Sequence, residues 1–149
     1  MWRRLAADAR QARYGAMNAS HTGRAPSADD FRRIAAKVLA EIPERFRRHV
    51  DGLAILIEDF ADEETLDMMG IEDPFDLLGL YHGVSLDHKS VLDPRGDQDM
   101  IFLYRRPLLD VWAHGRDTLE DIIRNTLIHE IGHHFGLSDD DMHRLEDED

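Results

Sequence analysis

His129-Glu130-x-x-His133-x-x-Gly136-x-x-Asp139, inside the run Thr126–Glu146, constrains this chain more than any other stretch. On an α-helix, residues four apart share a face, so His129 and His133 aim two imidazoles at one point. A tetrahedral zinc site asks that of its first two ligands. Glu130 lies close to the same face, within reach of a metal-bound water without being a ligand itself. Gly136 takes positive φ at little steric cost and ends the helix. The chain then doubles back and brings Asp139 to the metal as third ligand. Three protein ligands leave one position for water, the mark of a catalytic rather than a structural zinc site. The pattern predicts a hydrolytic centre with one zinc ion per chain.

A bare HExxH arises by chance in roughly one chain in a few hundred of this length. Gly136 and Asp139 at their offsets make coincidence about 100-fold rarer. The plain alternative is an amphipathic helix whose histidines are surface or satisfied core groups. The flanking residues favour the metal helix. Asp117-Thr-Leu-Glu120 reads as a capping box with Asp117 as N-cap. Leu119, Ile123, Leu127 and Ile131 form an i,i+4 stripe that anchors the helix in a core. Ile122 and Thr126 continue the His129/His133 face toward the N-terminus.

HExxHxxGxxD is similar to the metzincin pattern, with Asp139 where a third histidine usually stands. The wider run, from FRRIAAKVLAEIPERF through LAILIED, LLGLY and IFLYRRPLL to TLIHEIGHHFGLSDDDM, resembles a small bacterial zincin-like family described as having a minimal matrix-metalloprotease-like domain. The similarity covers about residues 27–146. It implies a compact α+β zincin fold, with a small mixed sheet and a C-terminal metal-binding helix. It also implies a zinc peptidase, in a family whose natural substrates are generally unassigned. Carried over by position, His129, His133 and Asp139 are the ligands and Glu130 the general base. In one respect the chain departs from the pattern. Metzincins carry a methionine turn well downstream of the motif, whereas Met142 stands close to Asp139 here.

A chain of 149 residues suits one domain with one core. We expect that domain over residues 27–149, preceded by a basic arm over residues 1–26 with five arginines and one aspartate. A start at Met17 is the alternative to such an arm. With no cysteine in the chain, histidine and carboxylate must do any metal binding. The formal net charge of −13 argues against nucleic acid as a partner, since that binding neutralises phosphates with Lys and Arg. No apolar run approaches a membrane span, and the N-terminus lacks a signal-peptide core. These features lead us to expect a cytoplasmic protein with a peptide or protein substrate and no membrane partner. Oligomeric state stays open.

Along the chain, Ser27 and Asp30 read as a helix start, and Phe31, Ile34, Ala35, Val38, Leu39 and Ile42 keep helical spacing up to Pro43. Residues 43–50 continue as a short helical turn or a second helix with exposed basic residues. The branched, apolar run 53–59 is expected as a strand in the middle of the sheet. Residues 60–76 carry seven Asp or Glu. They read as a solvated acidic face over a short helix or loop, with a lid over the site as the second reading. Residues 77–83 read as another strand, where Gly79 and Gly83 signal a bulge or a close backbone approach. If that strand lies at the edge beside the metal helix, it can pair with an extended peptide. Tyr81 is read first as an ordinary strand aromatic; Tyr81 or His82 as an oxyanion donor is the second reading. Residues 100–105 form a third strand, antiparallel to one neighbour, and Pro107 opens a short helix closed by Gly115.

The expected chemistry is metal-assisted hydrolysis of a peptide bond, with Glu130 moving the proton. His143, Asp140 and Asp141 are fallback third ligands, and a His2Asp set also accepts other divalent metals. Two alternatives belong to other classes. One is a non-catalytic binding module stabilised by its metal. The other is a metal-dependent endoribonuclease, because a small bacterial ribosome-processing family also sets three ligands on a short helix–turn. That family's pattern lacks a glutamate after the first histidine, and the acidity of this chain opposes RNA.

Overall fold

The computed structural model describes residues 23–44, 47, 50, 52–83 and 99–134. They form α1 (Ala28–Glu41), β1 (Ala54–Glu58), α2 (Glu63–Met69), a 3-10 turn (Pro74–Asp76), β2 (Gly79–His82), β3 (Met100–Tyr104), α3 (Arg105–His114) and α4 (Leu119–His134). This is the expected α+β class, with helices on a small mixed sheet. The expected arm lies outside the described residues over positions 1–22. At its inner end, the Pro26 carbonyl accepts a 2.8 Å hydrogen bond from Arg105 Nε.

Local chemistry sets the bounds of α1. The Ser27 hydroxyl accepts from the Asp30 amide, and the Asp30 carboxylate accepts from the Ser27 amide, a complete capping box. Pro43 disfavours helical backbone in the residue before it, and Ile42 is extended at φ −61, ψ 135. Phe31, Ala35 and Val38 are buried, and Ile34 and Leu39 pack against the same cluster.

The sheet order is β1-β3-β2, with β1 parallel and β2 antiparallel to β3. The expectation that β1 occupies the middle is therefore corrected: β3 does. Both faces of β3 are covered, Ile101 and Leu103 in one cluster and Tyr104 and Phe102 in the other. β1 alternates instead, with Leu56 and Glu58 exposed. An edge strand needs only one buried face, so its apolar residues follow the period-2 pattern.

Helices α1, α3 and α4 pack on one face of the sheet through Phe31, Val38, Leu108, Ile123 and Leu127. Two ion pairs, Lys37 to Glu120 at 3.1 Å and Arg124 to Glu41 at 2.6 Å, tie α1 to α4 along their solvent side. On the other face, Leu66 and Ile71 of the acidic segment pack with Leu77, Leu80 and Tyr104. That segment thus packs on the face of the sheet opposite to the one α4 covers, with most of its acids toward solvent. Two of its acids are caps: Asp62 accepts from the Thr65 amide and Asp73 from the Phe75 amide. Pro107 stands third in α3 rather than first; it is harmless there because the first four amides of a helix have no intrahelical acceptor. None of the described helices is long and apolar enough to cross a membrane.

Candidate metal centre

Helix α4 begins one residue later than its sequence suggests. Thr118, not Asp117, is the cap: its Oγ1 accepts from the Asp121 amide at 3.1 Å, and its carbonyl from the Ile122 amide. Asp117 and Thr118 are both good caps, so spacing alone does not separate them. Glu120, the expected capping-box acid, instead pairs with Lys37 and Arg124. The stripe Leu119, Ile123, Leu127 and Ile131 is buried as expected, and fixes the rotation of the helix against the sheet.

That rotation decides where the motif points. His129 is half-buried, and His133 follows one turn later in the same helix. Gly136 and Asp139, with the fallback ligands Asp140, Asp141 and His143, lie outside the described residues. Among the described residues, no group of three His, Cys, Asp or Glu comes together. The part of the expected donor set that falls within them is thus the helical His129/His133 pair.

Glu130 is one of two buried polar residues of the described chain, at 5% exposure; the other is Thr126, at 2%. Burial disfavours the charged carboxylate and pushes the pKa of Glu130 from 4.5 up to about 7, although a hydrogen bond from the Tyr81 amide pulls it back down. A carboxylate poised near neutrality is unusual outside functional sites. Close by, Tyr104 has its phenol held far above its ordinary range by burial and then by Glu58, Asp62 and Glu130.

The partner of Glu130 is β2, which is an edge strand of the described sheet. The Tyr104 amide donates to the Leu78 carbonyl, so the opposed pairs 78/104 and 80/102 exchange the ladder bonds. In an antiparallel ladder these pairs alternate with unbonded ones. The amides and carbonyls of Gly79 and Tyr81 therefore turn away from β3, and the Tyr81 amide meets Glu130. Gly79 is the close approach that the sequence signals: a Cβ there would lie 2.9 Å from Thr126 Cγ2 and 3.6 Å from Glu130 Cγ.

The structure places the side chains of Tyr81 and His82 on opposite faces of β2. Tyr81 is buried in the main core, where burial and the adjacent Asp99 carboxylate hold its phenol protonated. His82 is exposed and lies on the strand face opposite to that of Gly79 and Tyr81. Sequence reasoning misses the Tyr81 backbone amide, whose role follows only from the ladder register.

Residues 50–148 match a protein-family model described as Zincin-like metallopeptidase. Among solved structures, the chain is similar to a conserved hypothetical protein from Thermo thermophilus. The two are 22% identical with a TM-score of 0.49, and the match covers 74% of this chain and 94% of that one. No curated protein matches.

Proposed function

Because this chain belongs to the zincin-like metallopeptidase family, we propose that it hydrolyses peptide bonds at a zinc centre held by His129, His133 and Asp139, with Glu130 as general base. The observation that carries this reading is Glu130: a buried carboxylate with a pKa near 7, following the first histidine of the pair and set against an edge strand. Two imidazoles and a carboxylate are donors that suit zinc. Zinc, when bound, supplies Lewis acidity toward water and the scissile carbonyl. Glu130 accepts the proton of the attacking water and passes it to the departing amine. A base with a pKa close to the working pH does both steps well.

The substrate class follows from β2. The outward-turned amide and carbonyl of Gly79 and the carbonyl of Tyr81, whose amide is taken by Glu130, offer an extended peptide one more strand to join. Main-chain pairing of this kind holds a peptide or protein substrate without demanding a particular side chain. The net charge of −13 supports a protein rather than an RNA substrate.

Zinc content per chain, measured by mass spectrometry alongside cleavage of a random peptide library, tests the reading. The wild type and Glu130→Gln should each hold one zinc, while His133→Ala and Asp139→Ala lose it. All three variants should lose cleavage. Zinc retained by a wild type that cuts no peptide would instead favour a metal-stabilised binding module, and a chain that binds no metal would remove the basis of the proposal.

A further inference from the structure

We infer that Gly79 is a positioning residue for Glu130, because its bare Cα lets α4 seat Thr126 and Glu130 directly on the backbone of β2. The inference deepens the peptidase reading and rests on it for its catalytic consequence. Gly79 opens β2 opposite Leu103, and glycine in a strand is unfavourable unless a special backbone conformation or a close approach favours it. Among the described residues the glycines with positive φ are Gly23, Gly52 and Gly70, and Gly79 is not one of them. Its backbone is one any residue could adopt, so the approach of α4 is what calls for glycine.

A methyl group at Gly79 would meet three atoms, at 2.9 Å (Thr126 Cγ2), 3.2 Å (Phe102 carbonyl oxygen) and 3.6 Å (Glu130 Cγ). The first distance is shorter than real Cβ contacts, so something must move. The Phe102 carbonyl belongs to β3, the central strand, and is held by the ladder. Thr126 cannot simply turn away, because its Oγ1 donates to the Ile122 carbonyl at 2.8 Å and fixes its rotamer. What remains is a shift of α4 away from β2 by about half an ångström, enough to restore ordinary van der Waals contact. Glu130 follows Thr126 by four residues on the same helix and moves with it. Its bond from the Tyr81 amide lengthens, and its carboxylate leaves its place beside the edge where a substrate strand would lie.

The test compares wild type, Gly79→Ala, Thr126→Ser and the double variant. Thr126→Ser removes the obstructing methyl and keeps the hydroxyl bond to Ile122, so the double variant should relieve the clash that the single one creates. Two readouts are taken. The first is the Tyr81 amide resonance in metal-free, nitrogen-15-labelled protein, with Glu130→Gln as the reference for a weakened bond. We expect Gly79→Ala to move it toward that reference, and the double variant to return it. The second is peptide cleavage by zinc-loaded protein. We expect kcat to fall about tenfold in Gly79→Ala with KM nearly unchanged, as for a displaced catalytic group, and to recover in the double variant. A Tyr81 amide that does not move in Gly79→Ala overturns the inference, as does a double variant that fails to recover or stays unfolded. If the wild type cleaves no peptide, the peptidase reading fails, and the amide resonance alone still decides whether Gly79 positions Glu130.

Discussion

The backbone amide of Tyr81, on the outer edge of β2, donates to the carboxylate of Glu130 on α4, so the proposed base is bonded to the strand proposed to hold the substrate. Burial outweighs that bond and raises the pKa of Glu130 from 4.5 to about 7. The folded metal-free protein therefore binds this proton more tightly than the unfolded chain. Its stability contribution is fully present below pH 4.5 and is lost as pH rises through about 7. At 1.36 kcal/mol per pKa unit, the loss reaches about 3 kcal/mol. Glu130→Gln is neutral throughout and escapes it. Urea unfolding of the metal-free proteins should show the variant gaining on wild type by about 2–3 kcal/mol between pH 5 and pH 8. A constant difference across that range would contradict the shift.

The Tyr81 side chain allows a cleaner division of roles. Its hydroxyl is buried beside Asp99, within the main core. Tyr81→Phe keeps the backbone amide that reaches Glu130 and removes only the hydroxyl. Its effect should be confined to stability, within about 1–2 kcal/mol, through the buried contact with the Asp99 carboxylate. An oxyanion donor, by contrast, contributes about 100-fold or more to kcat. Cleavage by Tyr81→Phe at a temperature well below its unfolding should match wild type within roughly twofold. A hundredfold loss would return Tyr81 to the reacting centre.

What is legible in the sequence depends on how local its cause is. Ser27, Asp30 and Pro43 bound α1 through contacts within a few residues, and those bounds are readable. The buried stripe of α4 is readable because period 3.6 needs no knowledge of the partner. Its cap falls one residue away from the expected one, since Asp117 and Thr118 compete and only the fold chooses between them. The place of β1 in the sheet is not readable. A short apolar run looks alike at an edge or a centre, and β3 takes the centre because its two faces meet two different clusters. Gly79 signals a close approach, but Thr126 as its neighbour depends on a helix 47 residues further along the chain. Of the expected ligands, the described fold bears on His129 and His133 through α4, while Asp139 lies beyond it.

Leu127 is the residue whose truncation should unseat the metal helix. It is fully buried in the cluster that joins α4 to α1 and the sheet. Leu127→Ala removes three carbons and leaves a cavity that neighbours in α1 and β3 can only partly fill. The expected loss is about 3–4 kcal/mol, read from the urea midpoint at an unchanged slope. Because Glu130 and His129 are carried by the same helix, zinc affinity should weaken in this variant as well. A loss under about 1 kcal/mol would mean that the core can close around the gap.

Gly70 supports the far face of the sheet by its backbone alone. It follows α2 with φ 66 and ψ 32, a left-handed conformation that a side chain makes costly. Its amide donates to the Asp67 carbonyl at 3.1 Å, and the Ile71 amide donates to the Leu66 carbonyl at 2.9 Å. This is a Schellman ending, completed by the contact of Leu66 and Ile71 in the second cluster. Nothing lies within 4 Å of a Cβ built on Gly70, so only backbone strain opposes a substitution. Gly70→Ala should cost about 1 kcal/mol and Gly70→Asn less, since asparagine tolerates this region better. Thermal unfolding should therefore rank wild type above Asn above Ala, with a spread of about 2–4 °C. Equal losses for Asn and Ala would point to a cause other than the left-handed backbone.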